Sequence, residues 1–182
     1  AVPVSVTPLP RQTLRDADVR AVGDAAVYAP NVRLAEFTTR ALSLPYVRGL
    51  GGSPANTAVT TCYDGVPQLH AYSSNLEWVD VDQVEFVRGA QGMFYGRNTL
   101  GGVINVLSRR PADQWEGAVE GGFGNYDAWD TRFRASGPLV ANQLGLSLAG
   151  GRAARDGFTK NDVTGRDLDD RESFFGKLQL AW

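Results

Sequence analysis

Val84-Glu85-Phe86-Val87-Arg88-Gly89-Ala90-Gln91-Gly92-Met93-Phe94-Tyr95-Gly96-Arg97-Asn98-Thr99-Leu100-Gly101-Gly102-Val103-Ile104-Asn105-Val106 is the stretch on which the fold turns. Its two ends are apolar and β-branched and predict strands at 84–88 and 103–108. Between them Gly89, Gly92, Gly96, Gly101 and Gly102 permit tight turns and close backbone approach, a structural pattern and not a catalytic one. Upstream, short apolar runs alternate with short helical patterns. Val4-Ser5-Val6-Thr7 reads as a strand. Asp18 is placed to cap a helix in which Val19, Val22, Ala26 and Ala29 share one face before Pro30 stops it. Further strands are predicted at 44–48 and 58–63, with a helical turn around 76–82. Residues 1–113 therefore predict an α+β domain, a small mixed sheet with short helices. Gly49-Leu50-Gly51-Gly52 is not a dinucleotide loop, because no helical pattern follows it.

Composition removes several function classes. The chain has 182 residues with 18 Lys+Arg against 20 Asp+Glu, so it lacks the basic excess of a nucleic-acid binder. One cysteine, Cys62, and one histidine, His70, exclude an intrachain disulfide, a Cys-rich metal site and a His-pair zinc site. No run approaches the roughly 18 apolar residues of a membrane-spanning helix. Nucleophile, base and orienting group do not converge anywhere, so no catalytic residue is expected. The acidic group Asp167, Asp169, Asp170 and Glu172 lacks the spacing and glycine of an EF-hand and reads as a solvated loop.

From Trp115 onward the period changes to two. Trp115, Val119 and Phe123 share one face, and Glu116 and Glu120 the other. Trp129, Thr131, Phe133 and Ala135 oppose Asp130, Arg132 and Arg134. Leu144, Leu146 and Leu148 alternate with Gly145, Ser147 and Ala149, and Phe174, Leu178 and Leu180 with Phe175, Lys177 and Gln179. Each run is about the 9–11 residues that a tilted strand needs to cross a bilayer. The connections are 124–127, 137–142 and a long polar stretch over 153–170. Short turns at one rim and long loops at the other fit the first four antiparallel strands of a transmembrane β-barrel, with aromatics such as Trp115 and Trp182 near strand ends. A soluble β-meander with one wet face has the same alternation. Four strands cannot close a membrane barrel, so residues 114–182 predict an incomplete one and the chain a fragment.

The opening stretch, together with Val2-Pro3-Val4-Ser5-Val6, Tyr46-Val47-Arg48-Gly49, Tyr63-Asp64-Gly65-Val66-Pro67 and Ser108-Arg109-Arg110-Pro111, resembles the plug domain of TonB-dependent outer-membrane receptors. Gly124-Asn125-Tyr126-Asp127, Ser136-Gly137-Pro138-Leu139 and Arg155-Asp156-Gly157-Phe158 resemble the first barrel hairpins of the siderophore-receptor-like branch. Ala90 replaces the family's usual proline, and Thr61-Cys62-Tyr63 a more aliphatic run. The resemblance implies active uptake of a ferric siderophore across the outer membrane of a Gram-negative bacterium, with no cofactor and no bond made or broken. The implied partners are the ferric siderophore, outer-membrane lipid, the remainder of the barrel, and the TonB complex through a segment expected upstream of Val2. Arg48 and Arg88, each before a glycine at a strand end, are implied as a lock between plug and barrel wall. Ligand contacts are implied at the plug apices 36–40, 68–75 and 94–97. Arg40 offers a cation for an anionic chelate, and His70 and Tyr72 flat rings for stacking. His70 alone makes a poor iron ligand.

A receptor for a saccharide, a vitamin or an aromatic compound, and a truncated soluble binding module, remain as alternatives. They separate on solubility: the apolar band of residues 115–182 predicts that the isolated chain aggregates in water and needs detergent. A monodisperse detergent-free sample in size-exclusion chromatography would instead favour the soluble module.

Overall fold

The computed structural model describes residues 5–37, 42–68 and 70–182, apart from the side chain of residue 71. They form two compact units, Ala1–Arg109 and Arg110–Trp182.

In the first unit a five-stranded mixed sheet has the order β1-β6-β7-β4-β5. These strands are β1 (Ser5–Pro10), β4 (Val59–Tyr63), β5 (Val66–Gln68), β6 (Val81–Arg88) and β7 (Gly102–Ser108). All neighbours are antiparallel except β4 and β7, which run parallel. A separate hairpin pairs β2 (Val32–Glu36) with β3 (Ser43–Val47). Helices α1 (Arg11–Asp16), α2 (Val22–Ala26) and α3 (Gly92–Tyr95) are short, and a 3-10 turn spans Ala71–Ser73. The four strands predicted at 44–48, 58–63, 84–88 and 103–108 all exist; β3 is shifted by one residue and β6 begins three residues earlier. The predicted first strand survives as Ser5, Val6 and Thr7 of β1, while Val4 lies outside the described residues.

One core unites these elements: Leu9, Leu14, Val19, Val22, Ala25, Val47, Val59, Trp78, Val84, Phe86, Ile104 and Val106 are among its buried members. Complete burial of one such side chain contributes roughly 1.5–3 kcal/mol. The apolar face expected from Val19, Val22, Ala26 and Ala29 is indeed buried, but its helix is shorter than predicted and Asp18 does not cap it. Asp18 has φ 50° and its carboxylate binds the Arg20 guanidinium at 2.6 Å. The helix starts at Val22, where the Asp24 carboxylate reaches back to accept from the backbone N–H groups of Arg20 and Ala21, at 3.1 and 3.0 Å. The turn predicted around 76–82 is also displaced, to Ala71–Ser73. Glu77 forms a bridge to Ala21, and Trp78 donates from its backbone to Arg20 O and from Nε1 to Val19 O, which holds this segment extended.

A buried polar network crosses that core. Asn75 accepts the Gly23 N–H at 2.8 Å on Oδ1 and donates from Nδ2 to Ser43 Oγ at 3.3 Å. Ser74 donates to Ser43 O at 2.5 Å, and Thr61 to Ser74 O at 3.4 Å. These bonds join α2, β3 and β4 through one segment. Gly102 marks a closer approach: a Cβ there would lie 2.2 Å from Val87 O.

In the second unit, β8 (Glu116–Gly124), β9 (Ala128–Val140), β10 (Leu144–Arg155) and β13 (Arg171–Ala181) form one antiparallel sheet in the order β13-β10-β9-β8. A two-stranded ribbon, β11 (Thr159–Lys160) with β12 (Asp167–Leu168), decorates the long connection. The predicted connection at 137–142 is mostly strand. β9 continues to Val140 because a bulge leaves Leu139 without a partner between the Pro138–Gly145 and Val140–Leu144 pairs. Gly137 is required here, since a Cβ would fall 2.5 Å from the Trp115 indole.

Burial pushes both the Cys62 thiol and the Tyr63 phenol above their ordinary values. The folded state thus holds these protons more tightly than the unfolded chain, so their contribution to stability is complete below the ordinary thiol range and falls as pH rises above about 9. The urea midpoint of the first unit, followed by Trp78 fluorescence with the other tryptophans replaced by phenylalanine, should decline above that pH, and less so in Cys62→Val. A flat profile to pH 10.5 would contradict this.

Candidate functional site

The two arginines expected to act together meet around one turn. Asn31, at φ 60°, accepts the Arg48 backbone N–H at 2.9 Å, and its neighbour Pro30 accepts a hydrogen bond from Arg88 Nη1 at 3.0 Å. Arg48 follows β3 in the left-handed region at φ 51°, and its side chain is exposed. Arg88 ends β6, and its Nη2 donates to Thr7 Oγ1 at 2.7 Å. Its Nε is buried without a partner among the described residues. The two residues therefore differ: Arg48 points to solvent, whereas Arg88 commits two donors inside its own unit. Thr7 and Pro30 had no sequence signal as partners, lying 81 and 58 residues from Arg88.

His70 and Tyr72 are brought together. Their rings stack at 5.0 Å between centroids and 13° between planes, and the Tyr72 N–H donates to His70 Nδ1 at 3.3 Å. Ser73 closes the turn by donating from both Oγ and N–H to His70 O. Both rings are exposed, and the segment continues into the buried Ser74 and Asn75, so the ring pair stands on an anchored base. Arg40 lies outside the described residues. The 94–97 corner carries Phe94 and Met93 on α3, exposed at 78% and 91%, which sequence alone did not single out as a pair. Among the described residues no three His, Cys, Asp or Glu side chains gather as a metal site.

The sheet of the second unit has two unlike faces. Val119 opposite Phe133, Phe123 opposite Trp129 and Leu148 opposite Leu178 line one. On this face Phe123 is 96% and Phe174 85% exposed. It ends at the long-loop rim in an Arg152–Glu172 ion pair, with the Arg152 guanidinium 5.3 Å from the Trp129 ring centroid. The other face is polar. Arg134 pairs with Glu116, Arg132 sits 3.5 Å from Asp130 and 5.0 Å from the Phe175 ring centroid, and Ser136 accepts the Ala112 N–H at 2.9 Å. At the same rim Arg155 lies 5.0 Å over Phe158, which leans on Tyr126 at 6.1 Å.

The TonB-dependent receptor plug domain matches residues 1–103. The chain is 33% identical over 180 residues to the pesticin receptor of Yersinia enterocolitica, covering 97% of this chain and 27% of that protein. It is 29% identical over 155 residues to the ferripyoverdine receptor of Pseudomonas aeruginosa, covering 81% and 18%. Among solved structures, the ferric yersiniabactin uptake receptor of Yersinia pestis matches with a TM-score of 0.91 and 32% identity over 99% of this chain and 29% of that one. The chain belongs to the TonB-dependent receptor family, and spans less than a third of the length of these relatives.

Proposed function

We propose that this chain supplies the plug and the leading barrel strands of an outer-membrane receptor that takes up a ferric siderophore into a Gram-negative bacterium with energy from the TonB complex. One observation carries the reading: the likeness to the ferric yersiniabactin uptake receptor continues past the plug, over 99% of this chain, and a likeness to the ferripyoverdine receptor extends over 81% of it. The plug module alone would leave the ligand class open. The exposed apolar face of β8, β9, β10 and β13 suits lipid hydrocarbon, and the polar face a hydrated lumen. Strands completing the barrel would pair with the free edges of β8 and β13, because unpaired backbone groups in lipid cost several kcal/mol each.

Within that reading, Arg40, His70 and Tyr72 are the ligand contacts. The stacked rings offer flat apolar area to an aromatic chelator, and Arg40 a charge for an anionic one. Arg48 is the wall contact of the plug–barrel lock. Arg88 serves the same end of the plug from inside, by holding β1 and the Pro30 turn in place.

Two experiments test these assignments. Deleting the gene that encodes this chain from its host should abolish energy-dependent uptake of one iron-55-labelled siderophore, and His70→Ala with Tyr72→Ala should weaken its binding about tenfold or more. Unchanged uptake across a panel of catecholate, hydroxamate and phenolate-thiazoline siderophores would sink the siderophore reading. In the receptor that contains this chain, Arg48→Ala should raise outer-membrane leakage to vancomycin severalfold. Wild-type leakage and wild-type urea sensitivity together would remove Arg48 from the lock.

A further inference from the structure

Four buried polar side chains of the first unit, Ser43, Thr61, Ser74 and Asn75, meet at one place. Ser74 Oγ donates to Ser43 O at 2.5 Å, Asn75 Nδ2 to Ser43 Oγ at 3.3 Å, and Thr61 Oγ1 to Ser74 O at 3.4 Å. Asn75 Oδ1 accepts the Gly23 N–H at 2.8 Å. The same elements α2, β3 and β4 also bury Val22, Val47 and Val59, so filling the core did not by itself call for polar side chains. An apolar contact is non-directional and lets elements slide, whereas a buried hydrogen bond is costly unless both partners keep their places.

These bonds join two segments that each end in exposed rings. Ser43 opens β3 opposite Glu36 of β2. One step beyond that pair, the Phe37 N–H donates to Leu42 O at 3.0 Å, and the Phe37 side chain is exposed. On the other segment, Ser74 and Asn75 follow directly on the 3-10 turn Ala71–Ser73, which Ser73 closes by donating to His70 O. The His70 and Tyr72 rings stack in the open beside it. Tyr72 is two residues from Ser74, so little chain intervenes between base and ring to absorb movement. Asn75 is also pressed against α2: a Cβ on Gly23 would lie 3.3 Å from both Nδ2 and Oδ1.

We propose that Ser43, Ser74 and Asn75 are positioning residues: they clamp the two segments at their base, hold the His70–Tyr72 pair at a fixed separation from Phe37, and so select ligands whose planar groups match that spacing. The inference rests on the reading that His70 and Tyr72 touch the ligand, and it adds Phe37 as a third ring. Rings held in place before binding need no ordering when the ligand arrives. Two contacts at a fixed distance are engaged together only by a ligand that spans it. A slack base lowers the affinity for the matched ligand and leaves that for a mismatched one almost unchanged. Asn75 is the centre of the clamp, since its one amide serves both α2 and β3.

Two measurements on the receptor that contains this chain, purified in detergent, test the clamp. Dipolar EPR between nitroxides at Phe37→Cys and Tyr72→Cys, with Cys62→Val and any other cysteine removed, should give one narrow distance distribution. Asn75→Leu and Ser43→Ala should each widen it about twofold or more. Equilibrium binding of iron-55-labelled catecholate, hydroxamate and phenolate-thiazoline siderophores supplies the second reading, on the same variants without labels. For the siderophore that the unmodified receptor binds most tightly, each variant should raise Kd about fivefold or more at unchanged capacity. For any other that binds, the rise should stay below about twofold, and in a receptor already carrying His70→Ala and Tyr72→Ala the Asn75→Leu change should have no further effect. An unchanged distance distribution in Asn75→Leu would overturn the clamp. Equal weakening across the panel, or lost capacity at an unchanged Kd, would overturn its selective role and leave the bonds merely structural. Absence of binding by the unmodified receptor across the panel would refute the siderophore reading, while the distances still decide the clamp. If Asn75→Leu does not fold, Ser43→Ala decides by the same readings, since it deletes one hydroxyl and leaves the bond from Gly23 to Asn75 in place.

Discussion

A pleated strand sends successive side chains to opposite faces, and this single constraint governs residues 116–181. Once Val119, Phe133, Leu148 and Phe174 lie on one side, Glu116, Arg134, Ser147 and Lys177 must lie on the other. A sheet so divided needs an apolar neighbour on one side and a wet or polar one on the other. The first unit obeys the opposite arrangement, with its apolar residues inward around Phe86 and Ile104. One chain therefore carries two solvent preferences.

The plug is held by apolar burial and by polar bonds that cross it. Asn75 ties α2 to β3, Ser74 and Thr61 extend that tie to β4, and Trp78 fastens the same segment to Val19. A buried donor or acceptor left unpaired costs about 1–3 kcal/mol, so each bond specifies one arrangement as well as stabilising it. The exposed His70–Tyr72 stack rises directly from this segment. Its geometry is thus inherited from the core.

Much of this was legible in the sequence where the signal is local. Period-two alternation announced β8, β9, β10 and β13, and β-branched runs announced β3, β4, β6 and β7. What escaped depends on residues far apart in the chain. The start of α2 is set by Asp24 folding back on Arg20 and Ala21, which removed Asp18 from the capping role. Trp78, bonded to Val19 across 59 residues, straightened a segment whose local pattern suggested a helical turn. The bulge at Leu139 lengthened β9 through a stretch whose glycine and proline read as a connection. Among the site residues, the sequence placed His70 and Tyr72 in one segment but carried no sign of their stacking. The partners of Arg88 lie in β1 and after α2, beyond any local pattern.

The most direct test of the two-faced sheet as a membrane-spanning element is a nitroxide scan along β13 (Arg171–Ala181), in outer membranes containing the receptor of which this chain is part. Power-saturation measurements should show positions 174, 178 and 180 accessible to oxygen dissolved in lipid. Positions 175, 177 and 179 should be protected from it, giving a period of two. Uniform accessibility to a water-soluble nickel complex along the strand, with no alternation, would contradict the account.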